Sequence, residues 1–198
     1  AVTAEGETVI TNAAREPEIA DLCQFLTSMG AQIEGIGTPT LTVHGVAHGE
    51  LHGADHAVVP DRIQAATYVA AVAVSGGEVV LRGARADHMD MVLRRFRDMG
   101  LTITSTADSV AVWADGRLRS IDVATLPYPG IATDYKPLIV TMLAVADGVG
   151  IVTENLYPGR FRYVEELQRL GADIRADGHH AVVRGVNQLS GAPVKAPD

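Results

Sequence analysis

The chain has 198 residues, enough for one domain or two small ones. With 47% hydrophobic and 20% charged residues it holds the material for a packed core, which excludes a disordered chain. A formal net charge of −8 and 5% aromatic residues argue against gripping a phosphate backbone or stacking on bases, so no nucleic acid partner is expected. The single cysteine, Cys23, excludes a disulfide framework and a cysteine-cluster metal site. The longest apolar runs, such as Tyr68–Val74, fall far below the ~18 residues that span a bilayer, and the first ten residues lack the basic and apolar regions of a signal peptide. No membrane partner is expected.

In chain order, a strand over Thr8–Ile10 precedes a helix over Glu18–Met29. Pro17 and first-turn acids start that helix, and Gly30 stops it. Alternation through Ile33, Leu41 and Val43 predicts a hairpin. The string RIQAATYVAAVAVS, Arg62–Ser75, predicts a helix apolar nearly all round and therefore buried. A strand over Val79–Leu81, a helix stopping at Gly100 and a hairpin through Ile103, Val110 and Val112 follow. The pattern then recurs. TDYKPLIVTMLAVA, Thr133–Ala146, predicts a second buried helix, followed by a strand over Gly150–Thr153. A helix stopping at Gly171 and a hairpin through Ile174, Val182 and Val183 complete it.

Gly30, Gly100 and Gly171 stand 70 and 71 residues apart, each where a helix stop favours φ > 0. The fold class is therefore α/β, built from repeated helix-strand-helix-strand-strand units of about 70 residues. The first unit lacks its first helix, and the closing GAPVKAPD matches the GADHAVVPD that precedes Arg62. The expectation is two full units and one partial one, a frame within a longer repeating protein.

Several strings carry a family resemblance: TNAAREPEIADL (Thr11–Leu22), VVPDRI (Val58–Ile63), YPGIATD (Tyr128–Asp134), VTENLYPGRFRYVEEL (Val152–Leu167) and GADIRADGHHAVVRGVNQLSGAPV (Gly171–Val194). In these the chain resembles the enolpyruvyltransferase family, in its branch acting on UDP-N-acetylglucosamine more than in its shikimate-pathway branch. The resemblance implies inside-out α/β barrels of three units each, incomplete here. Residues 1–58 would be the last unit of a first domain, and 62–198 the first two units of a second. It also implies the partners: phosphoenolpyruvate, UDP-N-acetylglucosamine and the remaining parts of the same polypeptide. The implied reaction moves the enolpyruvyl group to the sugar 3-hydroxyl in the cytoplasm, the first committed step of peptidoglycan synthesis, with no cofactor and no metal. Such chemistry needs an acid, a base for the hydroxyl, and cations for phosphate and carboxylate.

Asp134 matches the family aspartate that contacts the sugar hydroxyl and serves as its base. Read from the residues alone, it is a carboxylate at a helix start, where a cap gains ~0.3–1 kcal/mol. Leu156 matches a position whose backbone meets the nucleotide, and Arg160 an arginine on the same loop, which by itself also reads as a surface arginine capping a turn. Arg62 matches an arginine at the domain crossover; a cation is out of place at a helix N-terminus, which favours a specific partner. Glu16 matches an acid near the cleft, although with Glu18 it also reads as a helix-starting acid. Cys23 lies on an apolar stripe with Ile19, Leu22, Leu26 and Met29 and reads as a small core hydrophobe. His44, His48, His52 and His56 recur every four residues, but the glycines at 45, 49 and 53 argue against one helix presenting them to a metal. His179 and His180 read as structural.

The chain departs from the family strings in two places. Ala132-Thr133-Asp134-Tyr135-Lys136 stands where Pro-Thr-Asp is followed by Leu-Gln or Met-Gln, and Pro158 stands where the loop has an acid. These departures keep open a relative using another nucleotide acceptor, beside a non-catalytic repeat-built binding domain. The family's Lys-Asn pair, catalytic loop and phosphate-gripping arginines fall outside this stretch, so the 198 residues alone are expected to be inactive.

Overall fold

The computed structural model describes residues 1–196. The chain divides into two compact units, Ala1–Pro60 and Asp61–Asp198.

In the first unit, β1 (Glu7–Thr11) is followed by α1 (Pro17–Ser28), β2 (Gln32–Glu34) and β3 (Thr40–His44). The strands form an antiparallel sheet in the order β1-β3-β2. Pro17 suits the first helical turn, whose N–H groups have no intrahelical partner. Gly30 ends the helix at φ 106. The buried apolar residues are few: Cys23, Ala31, Leu41, Val43 and Val46. Gly45 lets the end of β3 pass the first residues, because a Cβ there would lie 1.6 Å from the Ala4 carbonyl oxygen. The following segment runs back along α1. The His52 N–H donates to the Met29 carbonyl, His56 meets Asp21 at 3.0 Å and stacks on Phe25, and the Val59 N–H donates to the same Asp21 oxygen.

The second unit holds two copies of one plan. The first comprises α2 (Arg62–Ser75), β4 (Gly77–Arg82), a short 3-10 turn, α3 (Asp90–Asp98), β5 (Thr102–Ser105) and β6 (Ser109–Ala114). A two-residue β7 (Val123–Ala124) leads to the second: a 3-10 turn over Thr133–Tyr135, α4 (Lys136–Val145), β8 (Val149–Thr153), α5 (Tyr163–Arg169), β9 (Asp173–Asp177) and β10 (His180–Arg184). The sheets run β4-β6-β5 and β7-β8-β10-β9, antiparallel except for the β7–β8 pair. One apolar core takes residues from both copies, among them Val69, Phe96, Val112, Ile139, Leu143, Val152 and Val183. Arg117 straps the copies together by donating to the carbonyls of Val145, Ala146 and Val186 and to the Asn187 side chain.

Four features differ from the sequence expectation. The α4 segment begins as a 3-10 turn, because Pro137 has no N–H to offer the Thr133 carbonyl. Burial of α2 is one-sided: Arg62, Ala66, Val69, Ala70 and Ala73 face inward, while Tyr68 is 60% exposed. Only α4, with Ile139, Val140, Met142, Leu143 and Ala144 buried, is wrapped on most sides. In the last hairpin the pleat turns Ala181 and Val183 inward and Val182 outward. The parallel β7 was not foreseen, since two residues carry no periodicity. Among the described residues no helix is long and apolar enough to cross a membrane.

Candidate active site around Asp134

Two segments of the second unit converge: the turn into α4 and the loop from β8 to α5. The turn follows a cis Tyr128-Pro129 bond and a tight bend at Gly130, where a Cβ would lie 2.5 Å from that of Leu126. Its residues then alternate in burial. Thr133, Tyr135 and Lys136 are buried, and Asp134 between them points out.

Asp134 Oδ1 lies 3.1 Å from Arg160 Nη2, with the two side chains 48% and 45% exposed. Arg160 Nη1 also donates to Thr133 Oγ1 at 3.4 Å, and its guanidinium lies over the Tyr157 ring. The carboxylate therefore answers a cation 26 residues away in sequence rather than capping its own helix. The Arg160 loop turns at Gly159, whose φ is 76.

Beneath this pair lies Glu154, which is fully buried. Its Oε1 accepts from Thr125 Oγ1 at 2.7 Å, the Leu156 N–H at 2.7 Å and the Tyr157 N–H at 3.0 Å. Its Oε2 accepts from Thr133 Oγ1 at 2.7 Å and lies 2.6 Å from Lys136 Nζ. Lys136 is equally buried, and its ammonium lies 4.1 Å from the centre of the Phe161 ring. Burial alone would raise the Glu154 pKa. Lys136, the two threonine hydroxyls and the Tyr157 N–H outweigh it and hold the carboxyl down from 4.5 to about 2. Burial lowers the Lys136 pKa, with Glu154 opposing the shift. Burial and the Glu154 charge push the nearby Tyr163 hydroxyl up.

The structure thus brings Asp134, Arg160 and Leu156 together. The Leu156 N–H is committed to Glu154, so a main-chain contact to a ligand falls to its carbonyl oxygen. Arg62 is buried, sits between the rings of Tyr128 and Tyr135 at 5.7 and 5.6 Å, and donates to the Tyr135 hydroxyl. It reaches the site through the residue next to Asp134. Glu16 belongs to the first unit, where its backbone carbonyl starts α1 and its side chain makes no cap bond. Cys23 is buried, and burial pushes its thiol pKa up. The histidines diverge: His44 lies between Glu7 and Glu34, His52 meets the Gly53 carbonyl and His56 meets Asp21. Among the described residues no three histidines, cysteines or acids converge on a metal position. His179 Nδ1 bonds the Glu154 carbonyl oxygen.

Glu154, Lys136 and Thr125, which join the two segments, are not singled out by the sequence reading. A signal existed: a lone lysine opens the apolar helix KPLIVTMLAV and a lone glutamate closes the apolar strand VGIVT. Two opposite charges at the edges of buried elements predict a pair.

The profile of the EPSP synthase (3-phosphoshikimate 1-carboxyvinyltransferase) family matches residues 1–198. The chain is 50% identical over its whole length to UDP-N-acetylglucosamine 1-carboxyvinyltransferases of Mycobacterium leprae and Nocardia farcinica, covering 47% and 46% of those proteins. It therefore spans about half the length of the curated relatives it matches. Among solved structures it resembles the enolpyruvyl transferase NikO from Streptomyces tendae, with a TM-score of 0.82 at 24% identity, covering 93% of this chain and 44% of that one. It also resembles an EPSP synthase from Acinetobacter baumannii, with a TM-score of 0.52 at 23% identity over 96% of this chain and 44% of that one. Both likenesses concern the fold.

Proposed function

This chain belongs to the EPSP synthase family of enolpyruvyl transferases, and we propose that it supplies the acceptor side of a transferase that moves the enolpyruvyl group of phosphoenolpyruvate to the 3-hydroxyl of UDP-N-acetylglucosamine. The observation that carries this reading is the Asp134–Arg160 pair, half open to solvent on two segments held by a common buried carboxylate. The 50% identity to proteins named for that acceptor supports the choice of substrate.

In the proposed reaction the Asp134 carboxylate takes the proton of the sugar hydroxyl as its oxygen bonds to C2 of phosphoenolpyruvate. C3 takes a proton from an acid outside this stretch. Phosphate then leaves C2, and C3 loses a proton to restore the double bond. Arg160 orients the aspartate and presents a cation beside it, while the Leu156 carbonyl and the buried Arg62–Tyr135 contact shape the nucleotide side. Residues 1–58 close one domain of the enzyme and residues 62–198 open the other, with further residues of the same polypeptide completing the phosphate site. The reading places the enzyme in cytoplasmic peptidoglycan synthesis.

The test is titration of the polypeptide carrying this chain with UDP-N-acetylglucosamine and with uridine monophosphate, beside phosphate release from phosphoenolpyruvate. Asp134→Ala should weaken nucleotide binding and lower phosphate release about 10²–10⁴-fold, the range for loss of a general base. If neither nucleotide binds wild type more tightly than the variant, the assignment is wrong. Pro158 and Lys136, where the family strings have an acid and a glutamine, favour the second reading, a different nucleotide acceptor. Tighter binding of uridine monophosphate than of the sugar nucleotide would select it.

A further inference from the structure

We propose that Glu154 and Lys136 form a positioning pair: the buried carboxylate sets the Leu156–Arg160 loop against the Thr133–Asp134 turn, and the lysine supplies the charge that keeps it there. The proposal rests on the reading above only in that the edge being positioned is the nucleotide-facing one.

Four chain segments end on this one carboxylate. Thr125 reaches it from the end of β7, the Leu156 and Tyr157 amides from the loop, Thr133 from the turn, and Lys136 from α4. Thr133 passes the link on, since its hydroxyl oxygen accepts from Arg160, which in turn holds Asp134. The other charged or titratable neighbours are Arg160, Tyr163 and His179.

The repeat supplies a control. Gly100 and Gly171 set the offset between copies at 71 residues. At that offset Lys136 and Glu154 correspond to Ala65 and Gly83. One backbone hydrogen bond recurs in both copies: the Gly83 N–H donates to the Asp108 carbonyl and the Glu154 N–H to the His179 carbonyl, each at 2.7 Å, although Gly83 makes it at φ 78, a left-handed conformation that Glu154 does not share. That strand-end hydrogen bond therefore forms without the pair. A buried ion pair is also a weak source of stability, because apolar residues of similar volume replace it at little or no cost. The pair occurs in the copy whose loop carries Arg160, which points to geometry as its role.

The experiment compares Glu154→Gln, Lys136→Met and the double variant in the polypeptide carrying this chain. Amide hydrogen exchange is read without ligand, and the Kd for UDP-N-acetylglucosamine and uridine monophosphate separately. Each single variant should speed exchange at the Leu156 and Tyr157 amides at least tenfold, leave amides 83–89 of the other copy unchanged, and weaken nucleotide binding about tenfold. The double variant should recover towards wild type, since a glutamine carbonyl still accepts from both amides and no charge is left alone. Unchanged exchange in both single variants, or a rise shared equally by 83–89, overturns the positioning role. A double variant no better than the singles overturns the pairing. A single that fails to fold beside a double that folds supports it. If none folds, Thr133→Val, which keeps both charges, should weaken nucleotide binding several-fold in a protein that still folds, and an unchanged Kd overturns the link. Because exchange needs no ligand, failure of wild type to bind either nucleotide would remove the proposed acceptor while the exchange result still decides the positioning.

Discussion

In the copy built on α2 and α3, the linker leaving β4 wears its charged pair on the outside: Arg85 and Asp87 meet at 2.7 Å with side chains 44% and 61% exposed. Its inward anchor is Met89, which is buried in the apolar core. One repeat later, the position of Met89 is taken by Arg160, the apolar anchor falls one residue further on at the buried Phe161, and the linker leaving β8 is also held from below by the buried Glu154. An apolar anchor pulls its own residue into the core and closes the linker down. A polar hub fixes the backbone from beneath and leaves the residue at the anchor position free to face outward. The same α/β unit thus carries a closed linker in one copy and an outward arginine in the other, and the second copy combines a shifted apolar anchor with a buried charge.

The largest effect expected is on the hub. Glu154→Ala leaves the Lys136 charge, two amide donors and two hydroxyls without their acceptor, and should cost about 3–5 kcal/mol in chemical unfolding. Met89→Ala, on the apolar side of the comparison, should cost about 2–5 kcal/mol through lost burial and a cavity. Acid separates the two anchors. Glu154 titrates near 2 in the folded protein against 4.5 ordinarily, so the folded state binds fewer protons than the unfolded one between those values. Its contribution is complete above pH 4.5 and is lost as the pH falls from 4.5 towards 2. Wild type and Met89→Ala should both lose stability across that window, and the Glu154→Gln/Lys136→Met double variant should lose less. Equal acid profiles would show that the hub carboxylate is not held in its charged form.

The repeat, the helix stops at Gly30, Gly100 and Gly171, and the bounds of α2 were legible because they rest on local rules: apolar period, and φ values of 106, 109 and 93 that glycine takes freely. The inward face of the last hairpin was not, because AVV offers three apolar neighbours and only the pairing of Val152 with Ala181 decides the register. The one-sided burial of α2 escaped for the same reason, since alanines read as apolar on every face. The site was half legible. Asp134, Leu156 and Arg160 stood out through the resemblance, whereas the local rule made Asp134 a cap. Of the hub, the Lys136–Glu154 pair leaves a trace as two lone charges at the edges of apolar elements, but its hydroxyl donors lie 29 and 21 residues from Glu154 and nothing in the short strings joins them.

The smallest effect on stability should come with the largest effect on binding. Asp134 and Arg160 are about half exposed, and such a pair contributes less than about 1 kcal/mol, because water screens the charges and two long side chains give up freedom to meet. Asp134→Asn should therefore unfold within a few degrees of wild type. Its nucleotide affinity should nevertheless fall at least tenfold, because the group removed is the one that the proposed function presents to the ligand. Asp87→Asn breaks the exposed pair at the matching linker of the other copy and should change neither quantity. Paired measurement of unfolding temperature and nucleotide Kd on these two variants isolates presentation from stability. If both variants bind as wild type does, the outward arginine of the second copy is a surface ion pair like the first, and the distinction between a closed linker and a presenting one has no functional content.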